Sequence, residues 1–100
     1  MSQIQLEIMP TLAPLFGGQE SRRLTLSEPI QEGETVRDLL HRLVKRHERL
    51  HGLVFDTQTQ QLSGNVRLVL NGRLIELVGG LDTCLANGDA VLFLSAFSGG

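Results

Sequence analysis

An α+β fold, with one main helix packed on one face of a mixed sheet of about five strands, is what this chain predicts. Three observations carry that expectation. Segments near both ends alternate apolar and polar residues with the period of a half-buried strand. One stretch in the middle repeats its apolar residues at three-and-four spacing. Asn71-Gly72 stands between two apolar runs, as a hairpin turn does.

Taken in order, "IQLEIM" sets Ile4, Leu6 and Ile8 against Gln5, Glu7 and Met9, a strand with one face in a core. "PTLAPLFGGQES" carries Pro10, Pro14 and Gly17-Gly18, which is turn and loop chemistry. After it "RRLTLS" alternates again through Leu24 and Leu26, so the first two strands read as a hairpin with a wide loop. "EPIQEGETVRDLL" is a Pro-Gly-punctuated approach to a helix. Thr35 can cap that helix, with Asp38 three residues on as a variant capping box. Val36, Leu39, Leu40, Leu43, Val44, His47 and Leu50 form its buried stripe. Arg37, Arg42, Lys45, Arg46 and Arg49 fall largely outside the stripe and read as a solvated face, with a docking patch as the alternative.

"LVFDTQTQQLSGN" lacks a clear period and reads as a connection pinned to the core by Leu53, Val54, Phe55 and Leu62. "NVRLVLNGRLIEL" reads as a strand, a type I′ turn at Asn71-Gly72, and a short returning strand. Asn87-Gly88-Asp89 launches the last strand, from Ala90 to about Ala96. That strand is apolar at nearly consecutive positions, so either both its faces are covered or one apolar face awaits a partner.

One hundred residues suit a single domain, expected over 1–96 with a flexible tail at 97–100. The 41% apolar and 20% charged content excludes a disordered chain. A net charge of −2 and the absence of Trp and Tyr give no reason to expect nucleic acid. No apolar segment approaches membrane-spanning length, and the start lacks the cationic residues of a signal peptide, so no membrane association and a cytoplasmic location are expected. Cys84 is the single cysteine, which rules out an internal disulfide, and it reads as a small buried apolar residue. His47 reads as a packing histidine, and His41 and His51 have no carboxylate placed as a zinc motif requires. Neither a metal site nor catalytic residues are expected.

The chain closes on "SAFSGG". Gly99 and Gly100 lack Cβ atoms and Ser98 is small, so this backbone can thread a narrow channel in extended form. Delivered into another protein's nucleotide site, the Gly100 α-carboxylate could attack ATP, become an acyl adenylate, and pass to a sulfur nucleophile or an amine.

"GLDTCLANGDAVLFLSAFSGG" resembles the closing segment of the ubiquitin-like sulfur carriers: the molybdopterin-synthase small subunit (MoaD), the thiamin carrier (ThiS), and the ubiquitin-related modifier. The similarity continues through "VLNGR", "GETVRDLL" and "PTLAPLFGGQE". The resemblance implies a β-grasp fold and a chain that is not an enzyme and binds no cofactor. An E1-like enzyme would use ATP to adenylate Gly100, and sulfur transfer would then make a C-terminal thiocarboxylate. An acceptor such as a molybdopterin-synthase large subunit would consume the sulfur, in molybdopterin, cysteine or other thio-metabolite synthesis or in tRNA thiolation. A metalloprotease that trims or releases the C-terminus is a further implied partner. Gly99 and Gly100 would be the activated end, and Leu92, Leu94, Phe97 and Ser98 the partner contacts. "SAF" replaces the Pro-containing stem of molybdopterin-type carriers, which brings the ending closer to the modifier. The alternative is a ubiquitin-like modifier joined through Gly100 to lysines of other proteins, and a plain interaction module is a third reading.

Overall fold

The computed structural model describes residues 2–19 and 21–96, so the expected tail at 97–100 lies outside the described residues. Strand β1 (Ser2–Ile8) is followed by a 3-10 turn at Ala13–Phe16 and by β2 (Leu24–Ile30). Helix α1 (Val36–Arg46) comes next, then a 3-10 turn at Glu48–Leu50 and the two-residue strands β3 (Phe55–Asp56) and β4 (Gln61–Leu62). After them run β5 (Val66–Leu70), β6 (Arg73–Leu74), two further 3-10 turns, and β7 (Ala90–Ser95). Five strands make one mixed sheet in the order β2-β1-β7-β5-β6, and β3 and β4 pair separately. The last strand of the chain is thus the middle strand of the sheet. It lies parallel to β1 and antiparallel to β5.

Alternation decides which side chains enter the core. Ile4, Leu6 and Ile8 of β1, Val66, Leu68 and Leu70 of β5, and Val91 and Phe93 of β7 are buried on one face, beneath Val36, Leu39, Leu40 and Leu43 of α1. The helix begins where the sequence predicts. Asp38 N–H donates to Thr35 Oγ1 at 3.1 Å, and Thr35 N–H donates to Asp38 Oδ2 at 3.0 Å, closing a reciprocal capping box. These hydrogen bonds to Thr35 hold the Asp38 carboxyl below the usual carboxylate range.

The helix ends a turn earlier than its apolar stripe. His47 leaves helical geometry, and Leu50 reaches the core from the following 3-10 turn. His47 packs its ring against Phe16 at 6.0 Å, as a packing histidine should. Two loops are more ordered than their composition suggests. The β1–β2 loop turns Leu12, Ala13 and Phe16 into the core, with Phe16 edge-on to Phe93 at 5.0 Å, and the connection after the helix forms the β3–β4 ribbon. Of its four expected anchors, Val54 and Phe55 are fully buried and Leu62 packs at the core's margin, but Leu53 is 51% exposed. Residues 50 to 54 turn back on themselves through Leu53 N–H to Leu50 O and Val54 N–H to Leu50 O, which points Val54 inward and its neighbour out.

The second strand also runs farther than "RRLTLS", through Glu28, Pro29 and Ile30. Proline is accommodated because β2 is an edge strand, where a missing N–H breaks no ladder. The longer strand puts Glu28 on the inward face, 2% exposed, under the helix. Arg42 Nη1 donates to Glu28 Oε2 at 2.6 Å and Arg46 Nη1 to Oε1 at 3.0 Å. Arg42 Nη2 reaches Glu34 Oε2 at 2.7 Å and the Pro29 carbonyl oxygen at 3.0 Å. The hydrogen bond to Glu28 raises the Arg46 pKa above the usual arginine value. Two of the helix's basic residues are therefore neither solvated ornament nor free docking patch. They neutralise a buried carboxylate and tie α1 to the sheet edge.

Four variants have expected outcomes in urea unfolding. Thr35→Ala removes the cap and lowers stability by about 1 kcal/mol. Because the folded pKa of Asp38 is depressed, its contribution is present at neutral pH and is lost as pH falls below roughly 4, so Asp38→Asn should flatten the acid limb of the stability profile. The double change Arg42→Ala with Arg46→Ala strands the Glu28 charge and should cost about 3 kcal/mol or more. Glu28→Leu should cost less, since both half-exposed arginines can turn to water.

Candidate functional site

Only one face of the sheet is covered by the helix. The register of β7 determines what the other face presents, and two turns set that register. Asn71 and Gly72 have φ of 50° and 86°, the paired left-handed conformations of a type I′ turn, which Asn-Gly adopts with little strain. The same Asn71 holds the start of β7. Its N–H donates to the Ala90 carbonyl at 2.9 Å, its Oδ1 accepts from Ala90 N–H at 2.9 Å, and its Nδ2 donates to Asp89 Oδ1 at 2.9 Å. Asp89 Oδ2 accepts from Ala86 N–H at 2.8 Å, and the Asp89 carbonyl accepts from Gln5 N–H at 2.9 Å. Asn87 Oδ1 accepts from Gln3 N–H at 3.0 Å. The two Gly-containing turns thus clasp β7 between its neighbours at a single register.

With that register, Val91 and Phe93 point under the helix, and Leu92 and Leu94 point to the open face, where both remain half-buried. Leu92 lies between Glu7 of β1 and Val69 of β5, and Leu94 lies opposite Arg67. Met9 continues the line of β1 alongside, its N–H donating to the Phe93 carbonyl at 3.0 Å. Arg23 reaches over it, with Nη2 at 3.3 Å from Met9 Sδ and Nη1 at 3.6 Å from Glu7 Oε2. The result is an apolar patch of Leu92, Leu94, Val69 and Met9 with a guanidinium on each flank. Ala96 N–H donates to the Asn65 carbonyl at 2.8 Å, so Ala96, the last described residue, lies beside the start of β5, near this patch.

Of the expected partner contacts, Leu92 and Leu94 stand together on this face, and Phe97 and Ser98 lie outside the described residues, as do Gly99 and Gly100. Sequence reasoning missed Val69, Arg67 and Met9. Their signal was the strand parity of "VRLVL" and "IQLEIM", readable only once the sheet order brings those strands to either side of β7. His47 caps the helix, and His51 Nε2 is 4.0 Å from Asp56 Oδ1. Among the described residues no group of three or more His, Cys, Asp or Glu is placed to hold a metal ion, and no helix is long and apolar enough to cross a membrane.

The expectation that Cys84 is buried is overturned, because it is exposed. Val36 N–H donates to the Thr83 carbonyl and Leu85 N–H to the Glu34 carbonyl, so this segment runs as a bridge beside the helix start. Extended alternation there turns Leu85 inward and Cys84 out.

The sequence profile of the ThiS family matches residues 17–100. A comparison with curated proteins finds no match. Among solved structures, Urm1 from Trypanosoma brucei is similar at a TM-score of 0.73 and 26% identity, over 99% of this chain and 96% of that one. The small archaeal modifier protein 1 (SAMP1) from Methanosarcina acetivorans is similar at 0.71 and 26%, over 100% and 98%. CysO from Mycobacterium tuberculosis is similar at 0.64 and 26%, over 93% and 98%. The architecture is the β-grasp, ubiquitin-like fold, and the relatives are small carrier and modifier proteins rather than catalysts.

The position of Cys84 yields a direct expectation. The native protein should be alkylated at this thiol by a maleimide without denaturant, at a rate independent of added urea below the unfolding transition. Labelling that appears only with unfolding would contradict the exposed placement.

Proposed function

The chain belongs to the ThiS family, and on that premise we propose that it is a sulfur carrier whose Gly100 α-carboxylate is activated by a partner enzyme. A carboxylate oxygen attacks the α-phosphorus of ATP in the E1-like partner's site, and pyrophosphate leaves. Hydrosulfide, the sulfide-level form of the sulfur, then attacks the acyl carbon and AMP leaves, so that the terminal carbonyl carries sulfur in place of one carboxylate oxygen. An acceptor enzyme takes that sulfur for molybdopterin, cysteine or another thio-metabolite, or for tRNA thiolation. Catalysis, nucleotide and metal chemistry reside in the partners, and the carrier works in the cytoplasm, where the reducing poise suits sulfur in this state.

One observation carries the reading. The central strand of the sheet is followed in sequence, a few residues on, by Gly99-Gly100, and its Leu92 and Leu94 are half-buried on a face that no helix among the described residues covers. An apolar patch beside a slender terminus is what a chain needs in order to be gripped by its body while its end enters another protein's site.

A second reading is favoured by the modifier named among the similar structures. An amine in place of the sulfur nucleophile would leave Gly100 in an isopeptide bond with a lysine of another protein. Lys45 is the chain's single lysine, so self-linked polymers could use only that side chain.

Intact-mass measurement after incubation with the adenylating enzyme of the same organism, ATP and a sulfur source separates the readings. Replacement of one oxygen by sulfur in the C-terminal peptide, lost when Gly99 and Gly100 are deleted, is the expected result. An amine conjugate without sulfur would select the modifier, and an unchanged mass with an active partner would leave a plain interaction module.

A further inference from the structure

Positive charge on this molecule is unevenly committed. Arg42 and Arg46 are held by Glu28 and Glu34, Arg37 is paired with Asp82, and Arg49 reaches the Pro14 carbonyl oxygen at 3.4 Å. Arg67 is different. It is exposed on the open face, directly across from Leu94 and two positions before Val69. Among the described residues no hydrogen bond or ion pair engages its guanidinium, whereas Arg23 on the opposite flank is partly offset by Glu7. One border of the apolar patch therefore carries an uncompensated cation.

The length of chain beyond Ala96 says what must meet that border. Four residues lead from Ala96 to the carboxyl of Gly100, and fully extended they span at most about 14 Å. A site that holds the Gly100 carboxylate against ATP must therefore bring its own surface close to the exit of β7, where Leu94 and Arg67 lie. We propose that Arg67 is a specificity-determining residue of this encounter, and that the adenylating enzyme covers Leu92, Leu94 and Val69 with an apolar surface bearing a carboxylate opposite Arg67. The inference rests on the carrier reading above. A lysine there would keep the charge but not the two-pronged geometry with which arginine meets a carboxylate.

The test is ATP–pyrophosphate exchange by the adenylating enzyme of the same organism, with the full chain as the varied substrate. The variants are Arg67→Glu, Arg67→Lys and Arg67→Ala, with Arg73→Glu as a control on the exposed edge strand β6. Arg67→Glu should raise KM about tenfold or more at low ionic strength with kcat near that of the parent chain, and the gap should narrow as salt is added. Arg67→Lys should fall between, and Arg73→Glu should match the parent. Arg67→Ala, with a melting temperature equal to the parent's, guards against a folding effect and should raise KM by less than the charge reversal. An unchanged KM for Arg67→Glu, or an equal rise for Arg73→Glu, would overturn the inference while leaving the carrier reading intact. Absence of exchange with the parent chain, under conditions where the enzyme is active on another carrier, would overturn both.

Discussion

The seating of β7 between β1 and β5 is the constraint on which the rest of this structure depends. A strand from the end of the chain occupies the middle of the sheet and is bonded to neighbours on both sides, parallel to β1 and antiparallel to β5. Side chains along a strand alternate faces, so a slip of one residue would exchange Val91 and Phe93 with Leu92 and Leu94. The clasp made by Asn71, Asn87 and Asp89 opposes that slip, because it pins the first residue of β7 through side-chain and backbone hydrogen bonds at once. Core filling by Phe93 and display of Leu94 on the open face are consequences of one register.

The helix is held over this sheet by two unlike interactions. Its apolar stripe supplies non-directional burial, which would tolerate some sliding. The Glu28 carboxylate, with Arg42 and Arg46 converging on it, is directional and accepts few geometries. A buried ion pair of this kind adds little net stability, since desolvation offsets most of its Coulombic gain. Its inward charge and the neighbouring Pro29 also make β2 a poor template for edge-to-edge pairing. The same arrangement pairs two half-exposed arginines of the helix with carboxylates, so the count of basic residues on the helix overstates the unpaired charge there. The open face is flanked by Arg23, partly offset by Glu7, and by Arg67, although the formal net charge is −2.

Local chemistry is legible in this sequence wherever a residue's role depends on its immediate neighbours. The capping box at Thr35 and Asp38, the Asn71-Gly72 turn, the alternation of β1 and the stripe of α1 as far as Val44 all follow from short-range sterics and hydrogen bonding, and their positions are as the residues predict. The extension of β2 through Pro29 is not legible in this way, because tolerance of proline depends on the strand being at an edge. The exposure of Cys84 is not legible for a similar reason. A small apolar residue in a turn-rich segment gives no sign of its facing until Thr83 and Leu85 bond to the helix start.

What the sequence by itself determined is therefore the set of elements, the hairpin and cap that bound them, and a slender Gly-Gly end following an apolar strand. Periods of two and of three-to-four, and the backbone preferences of Gly, Asn, Thr and Pro, are properties of the chain alone. Only the tertiary structure decided that β7 is central, that its Leu92 and Leu94 face outward beside Val69 and Arg67, and that Arg42 and Arg46 converge on the buried Glu28. These are relations between strands and helix distant in sequence, and no local preference encodes which side of a strand another element will cover.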